Sequence, residues 1–185
     1  MASQSPLAVI EQTLKEEKFA TRLLEKDNER PFDLLFAGIG EDEKKRGYTV
    51  QLHFVNDVTN AVGGADEPED AYLLQFFLVF PYLIEASKKA EVARAMLAIN
   101  RILPIGAFGM SEQEGTPYYQ YNLACADRSV DGTVLLEILS IMGFFTSEFS
   151  PKFEAISEGT DTFDSLIEAL SKGGIVFPPI TPPKV

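Results

Sequence analysis

The sequence predicts an α+β domain, in which an antiparallel sheet of about five strands packs against helices in the order α-β-β-β-α-β-β-α-α. Three observations predict it. Residues 32–54 contain a hairpin pattern whose second strand alternates apolar and polar side chains. Residues 87–103 repeat their apolar side chains with the period of a helix. A second two-strand pattern follows at 105–126, so strands and helices are combined in one domain.

The N-terminal part of the chain predicts a helix, a hairpin and a loop. Pro6–Lys26 has an imperfect apolar stripe that favours a first helix. Phe32–Ile39 is a predicted strand, residues 40–47 form a charged turn, and Tyr48–Phe54 alternates cleanly as the second strand. Asp57–Asp70 predicts a long acidic loop, which is either functional or simply mobile.

The next predicted strand, Tyr72–Phe80, carries large apolar residues on both faces. Every second residue from Tyr72 points one way, while Leu73, Phe77 and Val79 point the other way, interrupted only by Gln75. A strand that is apolar on both faces needs cover on both sides. Helices of the chain can cover one side, and the other needs another element or a second subunit. We therefore expect a homodimer, with the first helix or the last short helix as the alternative cover.

The helix predicted at 87–103 ends at a motif that also predicts a contact. Its apolar stripe breaks at Pro104, and Gly106 permits a turn that a residue with a side chain would resist. Asn100 lies close to the stripe. We expect its side chain to tie the helix to a neighbouring loop by hydrogen bonds, and ligand binding is the less favoured alternative.

The C-terminal part predicts two strands, two helices and a tail. The strands are 105–110 and 118–126. A helix at 130–145 follows, with core candidates Val134, Leu135, Ile138, Leu139 and Met142, and a short helix occupies 161–170. Residues 1–174 then form a single α+β domain, and the proline-rich tail 175–185 is expected to be extended and dispensable for the core.

Composition excludes several classes of function. The formal net charge of −12 argues against binding to nucleic acid, which needs clustered Lys and Arg. The longest apolar run, Phe76–Ile84, is far shorter than the ~20 residues that span a bilayer, and the N-terminus has no secretory signal pattern. Cys125 is the only cysteine, so an intrachain disulfide is impossible. We expect a cytoplasmic protein that binds neither nucleic acid nor membranes.

The reactive residues form no recognisable catalytic pattern. Gly38-Ile39-Gly40 is followed by acidic residues, which would repel a pyrophosphate. His53 is the only histidine, and nothing in the sequence brings it next to Cys125, which we expect to be buried. No nucleophile elbow and no calcium-loop spacing occur. We therefore expect no catalytic residue, no cofactor and no metal site.

The aromatic residues of the two central strands are the candidates for a partner surface. Tyr118, Tyr119 and Tyr121 cannot all share one face, because side chains alternate along a strand. Tyrosine is favoured at interfaces, although ordinary sheet packing is an equal alternative. The expected partner surface consists of Tyr72, Leu74, Phe76, Phe77, Val79, Tyr118, Tyr119 and Tyr121.

One segment carries a resemblance to a known family. Residues 93–109, with Asn100, Pro104 and Gly106, combine a helix end that contains asparagine, a short turn and an aromatic strand. This segment resembles the YbjN-like family of bacterial sensory-transduction regulators, and the similarity extends over Phe32–Glu158. The resemblance implies the fold of class I type III secretion chaperones, which are small acidic α+β domains and often homodimers. The long first helix, the acidic loop and the proline-rich tail depart from the family pattern.

These observations lead to an expected function. We expect a non-enzymatic protein-interaction module, chaperone-like or regulatory, whose partner is another protein and which forms a homodimer. The alternative is a small-ligand-binding sensory domain with a pocket between helix 87–103 and the sheet. A fold alone does not imply a function, so the expectation depends on the surface of the sheet and on the lack of a catalytic pattern.

Overall fold

The computed structural model describes residues 5–62 and 71–177, and these contain one six-stranded antiparallel sheet in the order β1-β2-β3-β4-β6-β5. The strands are β1 (Thr21–Leu24), β2 (Leu34–Glu41), β3 (Gly47–Phe54), β4 (Tyr72–Val79), β5 (Ala107–Met110) and β6 (Pro117–Cys125). The helices are α1 (Pro6–Glu16), α2 (Val55–Ala61), α3 (Lys89–Ile99), α4 (Gly132–Glu158) and α5 (Phe163–Lys172). The predicted α+β class and antiparallel sheet are confirmed, with six strands instead of five.

The core lies between one face of the sheet and a layer of helices. Alternate strand residues point into it and are fully buried, among them Leu35, Val50, Leu52, Phe76 and Tyr119. They form one cluster with buried apolar residues of four helices, which are Leu7, Ile10 and Leu14 of α1, Val92, Ala95, Met96 and Ile99 of α3, Leu135, Ile138, Leu139, Met142, Phe149, Phe153 and Ile156 of α4, and Leu166 and Leu170 of α5. Each buried side chain of this size contributes about 1.5–3 kcal/mol to the free energy of unfolding.

The first helix is shorter than predicted, and the second half of the predicted helix contains the additional strand, β1. Helix α1 ends at Glu16, because Lys18 adopts a left-handed conformation with φ of 65°. The N–H of Phe19 then donates to the carbonyl of Leu14 at 2.9 Å. The chain continues as β1, in which Leu23 points to the core and Arg22 pairs with Phe36 of β2. The prediction of one helix over 6–26 was therefore wrong in its second half.

The predicted acidic loop also contains a helix. Residues 55–61 form α2 directly after β3, and Asn56 accepts a hydrogen bond from the N–H of Leu73 at 2.8 Å. No residue of α2 is buried, which explains why the sequence shows no apolar stripe there. The rest of the predicted loop, residues 63–70, lies outside the described residues.

Asn100, at the end of helix α3, makes hydrogen bonds as predicted, but its partner lies in a strand and not in the predicted loop. A 3-10 turn at 86–88 precedes the helix, which ends at Ile99. The Asn100 amide donates to the carbonyl of Phe108 at 2.9 Å and accepts from the N–H of the same residue at 2.8 Å. The N–H and carbonyl of Phe108 point away from β6. The Asn100 side chain therefore makes the hydrogen bonds that a further strand would make at this edge of the sheet. The helix end is thereby joined to the edge strand β5.

Helix α4 is longer than predicted and ends at Glu158 instead of residue 145. It has 27 residues, with Asp131 as its N-cap and Gly159, whose φ is 75°, as its C-cap. Its predicted core residues are buried except Val134, which is 44% exposed. The second half packs Phe149 and Phe153 into the core, and Glu154 binds Arg46 of the β2–β3 hairpin at 2.7 Å. These contacts hold the helix together across Pro151, which removes one internal hydrogen bond.

By length and composition alone, α4 is the one helix in the described part of the chain that could cross a membrane. This is weak evidence, because core helices pass the same test. Beyond α4, α5 occupies 163–172, two residues later than predicted. Ile175 and Phe177 pack partly against the core, so the predicted tail begins with two packed residues. Residues 178–185 lie outside the described residues.

Candidate interaction surface

The second face of the sheet is built from the strand residues that alternate with the core residues. Among the described residues, the buried apolar side chains of the helices all join the core on the other face. Leu73 and Val79 on this second face are 40% and 37% exposed. We call it the open face, and on the four strands β2, β3, β4 and β6 it consists of Leu34, Phe36, Gly38, Glu41, Gly47, Thr49, Gln51, His53, Leu73, Gln75, Phe77, Val79, Tyr118, Gln120, Asn122 and Ala124.

Strand register arranges the open face in rows of aromatic and amide side chains. In one row Phe36 pairs with Gln51, Gln51 with Phe77, and Phe77 with Gln120. In the next row His53 pairs with Gln75, and Gln75 donates a hydrogen bond to the Asn122 side chain at 3.0 Å. The rows therefore combine apolar contact area with groups that both donate and accept hydrogen bonds.

Two aromatic rings form the centre of the open face. The rings of Phe77 and Tyr118 lie with their centroids 5.2 Å apart. The Tyr118 ring also covers Gly109 of β5, where a Cβ atom would lie only 2.6 Å from Cε2 of the ring. A glycine in a strand interior often marks such a close approach. Gly109 thus allows the Tyr118 ring to lie flat on the sheet beside Phe77.

The three central strands β3, β4 and β6 have no Asp, Glu, Lys or Arg on the open face. This contrasts with a chain that has 28 acidic and 16 basic residues. His53 is the one titratable imidazole there, and burial lowers its pKa below the ordinary value, while the Asp57 carboxylate opposes the shift. Interface centres are likewise depleted in charged residues and enriched in aromatic ones.

The structure divides the predicted partner surface between the two faces. Phe77, Val79 and Tyr118 lie on the open face. Leu74, Phe76 and Tyr119 are 0% exposed in the core, where burial raises the pKa of Tyr119 to about 12, and its hydroxyl donates to the carbonyl of Ile105 at 2.8 Å. Tyr72 and Tyr121 are half-buried on the core face. Of the eight residues of the predicted surface, Phe77, Val79 and Tyr118 therefore lie on the open face, and the other five lie on the core face.

The predicted partner surface left out Phe36 and Leu73, which also belong to the open face, although Leu73 was predicted on the same strand face as Phe77 and Val79. Phe36 alternates with the buried residues Leu35 and Ala37, so the alternation along the predicted strand 32–39 was the sequence feature that could have identified it. That period shows which residues share a face but not which face the helices cover.

His53 and Cys125 lie on opposite sides of the sheet. His53 alternates with the buried residues Leu52 and Phe54 and points to the open face. Cys125 is 6% exposed and belongs to the core cluster, as predicted. Burial raises the pKa of its thiol, which disfavours the reactive thiolate. The structure does not bring these two residues together as a nucleophile and its base.

Gly38-Ile39-Gly40 lies within β2, where the pairing with β3 shifts register between the two glycines. The motif is a strand irregularity and is not followed by the helix that a phosphate-binding loop requires. Within residues 5–62 and 71–177, no group of three or more His, Cys, Asp or Glu side chains could hold a metal ion.

A cavity of about 750 Å³ lies at the end of the sheet, between the start of α1 and α2. Arg128 lines it, and its guanidinium binds Asp57 at 2.7 Å and lies 4.4 Å above the Tyr72 ring. This position differs from the ligand pocket predicted beside α3, where Val92, Ala95 and Ile99 are buried in the core. Charged residues of both signs line the cavity, and the Arg128–Asp57 ion pair joins two of these lining residues to each other.

Comparison with protein families gives one match. A family model with the description "YbjN: Putative bacterial sensory transduction regulator" matches residues 58–154, more than half of the chain. The matched part runs from α2 to α4 and contains β4, β5 and β6, the strands that carry Phe77, Gly109 and Tyr118. A search of curated proteins gives no match.

Proposed function

The chain belongs to the YbjN family, and from this premise we propose that it is a non-enzymatic protein-interaction module with a regulatory or chaperone-like role. The family description names a regulator and not an enzyme. The proposal includes the fold relationship to type III secretion chaperones and a cytoplasmic location. Its binding surface is the open face.

One observation supports the proposal most strongly: the centre of the open face is aromatic and uncharged, yet no helix of the described residues covers it. Exposed apolar patches of this kind on soluble domains mark interaction sites more often than they are incidental. Here the patch combines Phe77, Tyr118 and Val79 with uncharged amides, and no helix of the described chain packs on it. A catalytic site would need converging reactive groups, and His53 and Cys125 point in opposite directions.

The proposal is tested by capturing partners from extracts of the native cell with three tagged proteins. These are the wild type, Phe77→Asp on the open face, and the matched control Leu97→Asp on α3, a residue that is 67% exposed. We expect the wild type and the control to retain one stoichiometric protein, identified by mass, and Phe77→Asp to lose it. Equal capture by Phe77→Asp, with a native near-UV spectrum, would contradict the proposal.

A second candidate function rests on the cavity beside α2. Its volume of about 750 Å³ suits a small molecule, and Arg128 could bind an anionic group there. In this case the chain would be a small-ligand-binding sensory domain. A thermal-shift screen with metabolites separates the two functions, because a ligand that binds only the folded state raises the midpoint of unfolding. A shift that Arg128→Gln abolishes would favour the sensory domain.

A further inference from the structure

We infer that the cavity at the end of the sheet binds a free α-amino acid, whose carboxylate pairs with Arg128 and whose ammonium group pairs with Asp57. The inference rests on the second candidate function, because it names the class of ligand for that cavity. Three features of the cavity support it: the fixed position of Arg128, the balance of charges in the lining, and an apolar wall beside the charged pair.

The Arg128 side chain is fixed by contacts within the protein. Its guanidinium lies 4.4 Å above the Tyr72 ring and 5.3 Å from the centre of the Phe54 ring, and it donates to Asp57 at 2.7 Å. The backbone of Arg128 has a φ of 60°, a conformation that residues with a side chain rarely adopt. Residues in such conformations cluster at ligand-binding sites, where the surrounding contacts hold them. Arg128 is therefore preorganised at the wall of the cavity.

The Arg128–Asp57 pair can accept two further charged groups. Both side chains are partly exposed, and a guanidinium offers five N–H donors while a carboxylate accepts at both oxygens, so their mutual contact leaves positions for other partners. A ligand carboxylate bound to Arg128 would lie close to the Asp57 carboxylate and be repelled by it. An ammonium group on the same ligand, bound to Asp57, offsets this repulsion. A zwitterion therefore satisfies both residues and adds no net charge to the cavity.

The other charges of the lining disfavour a ligand with a single kind of charge. Glu25, Asp33 and Asp57 provide negative charges against the positive charges of Lys26 and Arg128, so acidic groups outnumber basic ones. The whole chain also has a formal net charge of −12. A phosphate compound would bring further negative charge into this field and be repelled. A simple amine would be attracted by Asp57 and repelled by the guanidinium beside it.

Apolar residues beside the charged pair favour a ligand with a large apolar side chain. Leu7, Pro31, Phe32 and Phe54 line the same cavity, and Phe32 is half-buried. The volume of about 750 Å³ lies within the range of about 300–1,000 Å³ that is typical of small-molecule sites. We therefore expect phenylalanine or leucine to bind more tightly than glycine, aspartate or lysine.

Titration calorimetry of the full chain with free amino acids tests the inference, and two derivatives of the best ligand test its charges. The N-acetyl derivative lacks the ammonium group, and the amide lacks the carboxylate. Because each derivative loses a charge-assisted hydrogen bond, we expect each to bind at least about tenfold more weakly than the parent amino acid. Equal binding of either derivative would overturn the inference.

Variants of the pair locate the site. Arg128→Gln and Asp57→Asn should each weaken binding at least about tenfold, and Arg128→Lys, which keeps the charge, should retain part of the affinity. The matched control is Arg94→Gln on α3, since Arg94 also stacks on an aromatic ring, that of Phe163 at 4.1 Å, but does not line the cavity. The control should bind like the wild type. A near-UV spectrum checks each fold, and Asp57→Asn decides if Arg128→Gln does not fold.

The outcomes separate this inference from both proposed functions. It is overturned if no free amino acid binds at millimolar concentration, or if natively folded Arg128→Gln and Asp57→Asn bind like the wild type. If a different metabolite binds and Arg128→Gln abolishes its binding, the sensory domain stands and only the amino acid is excluded. Capture of a protein partner through Phe77 is a separate measurement and does not depend on this cavity.

Discussion

The two faces of the sheet are built by the same strands, residue by residue in alternation, and they differ in what covers them. On β4, Phe76 is 0% exposed under the helices, while its neighbour Phe77 lies on the open face against Tyr118. Both are phenylalanines in the middle of one strand. Residue type alone therefore does not determine what a side chain does in this sheet. The layer that packs on each face decides whether an aromatic side chain stabilises the fold or remains available to a partner.

Polar residues allow the two faces to be distinguished in the sequence of some strands but not of others. On β3, Thr49 and Gln51 alternate with the buried residues Val50 and Leu52, so the open face is evident from the sequence. On β4 the open face contains Gln75 as its only polar residue, among Leu73, Phe77 and Val79. That strand is therefore the place where substitutions distinguish the faces best.

The largest effect is expected from a carboxylate on each face of β4. Removing a buried phenylalanine side chain costs about 3–5 kcal/mol, and burying an unpaired charge adds to this cost. The free energy of unfolding of a domain is typically ~5–15 kcal/mol. Phe76→Asp should therefore remove most of it and leave the chain unfolded. Phe77→Asp should lose only about 1 kcal/mol. Urea denaturation followed by near-UV circular dichroism measures both, and equal losses would mean that the two faces are not distinct.

A second prediction compares a polar contact on each side of the sheet. Asn100→Ala removes both bonds to the backbone of Phe108 and leaves its N–H and carbonyl without that partner. At about 0.5–1.5 kcal/mol for each neutral bond, we expect a loss of about 1–3 kcal/mol. Asn122→Ala on the open face breaks one exposed bond to Gln75 and should cost under about 0.5 kcal/mol. Similar losses in the two variants would contradict the structural role of Asn100.

The parts of the fold that could be predicted are those with long, regular periods. The hairpin β2–β3, helix α3 and strand β6 were found because their apolar residues repeat over eight or more positions. Strand β1 was missed because four residues carry too short a pattern, and the left-handed Lys18 that separates it from α1 has no sequence signal. Helix α4 was predicted too short. Its second half is held helical by the buried Phe153 and by Glu154, which binds Arg46, and these contacts are distant in sequence.

The candidate surface could be predicted only in part. The two-faced character of β4 was visible in the sequence, but the choice between Phe76 and Phe77 depends on where α3 and α4 pack. Phe36 was not recognised because its role depends on the register of β2 with β3, in which it faces Gln51. Strand register and the packing of helices on one face are tertiary properties, and a single sequence does not specify them.

A third prediction concerns the support of the open face by Gly109. Gly109→Ala would place its Cβ against the Tyr118 ring, and we expect a loss of about 1–2 kcal/mol from this overpacking. In the Tyr118→Ser background the ring is absent, and the same substitution should be neutral or stabilise by up to about 1 kcal/mol, because alanine replaces glycine in a strand. A double-mutant cycle of unfolding free energies measures the difference. Additive effects would show that the ring does not lie on Gly109.

The smallest expected effect concerns pH and the single histidine on the open face. Nδ1 of His53 is buried without a hydrogen-bond partner among the described residues, and burial lowers the pKa of the imidazole below its ordinary value of 6.5. The unfolded chain then binds a proton at a higher pH than the folded chain does. The contribution of His53 to stability is therefore full above pH 6.5, falls as the pH decreases, and levels off below the folded pKa.

His53→Gln should remove this dependence, since glutamine does not titrate. Between pH 7 and about 5.5, where most carboxylates stay ionised, wild-type stability should fall relative to that of the variant. The chain has one histidine, so its imidazole NMR signal reports the pKa directly. A value of 6.5 or higher would show that water reaches Nδ1 and that the open face is wetter there than its neighbours indicate.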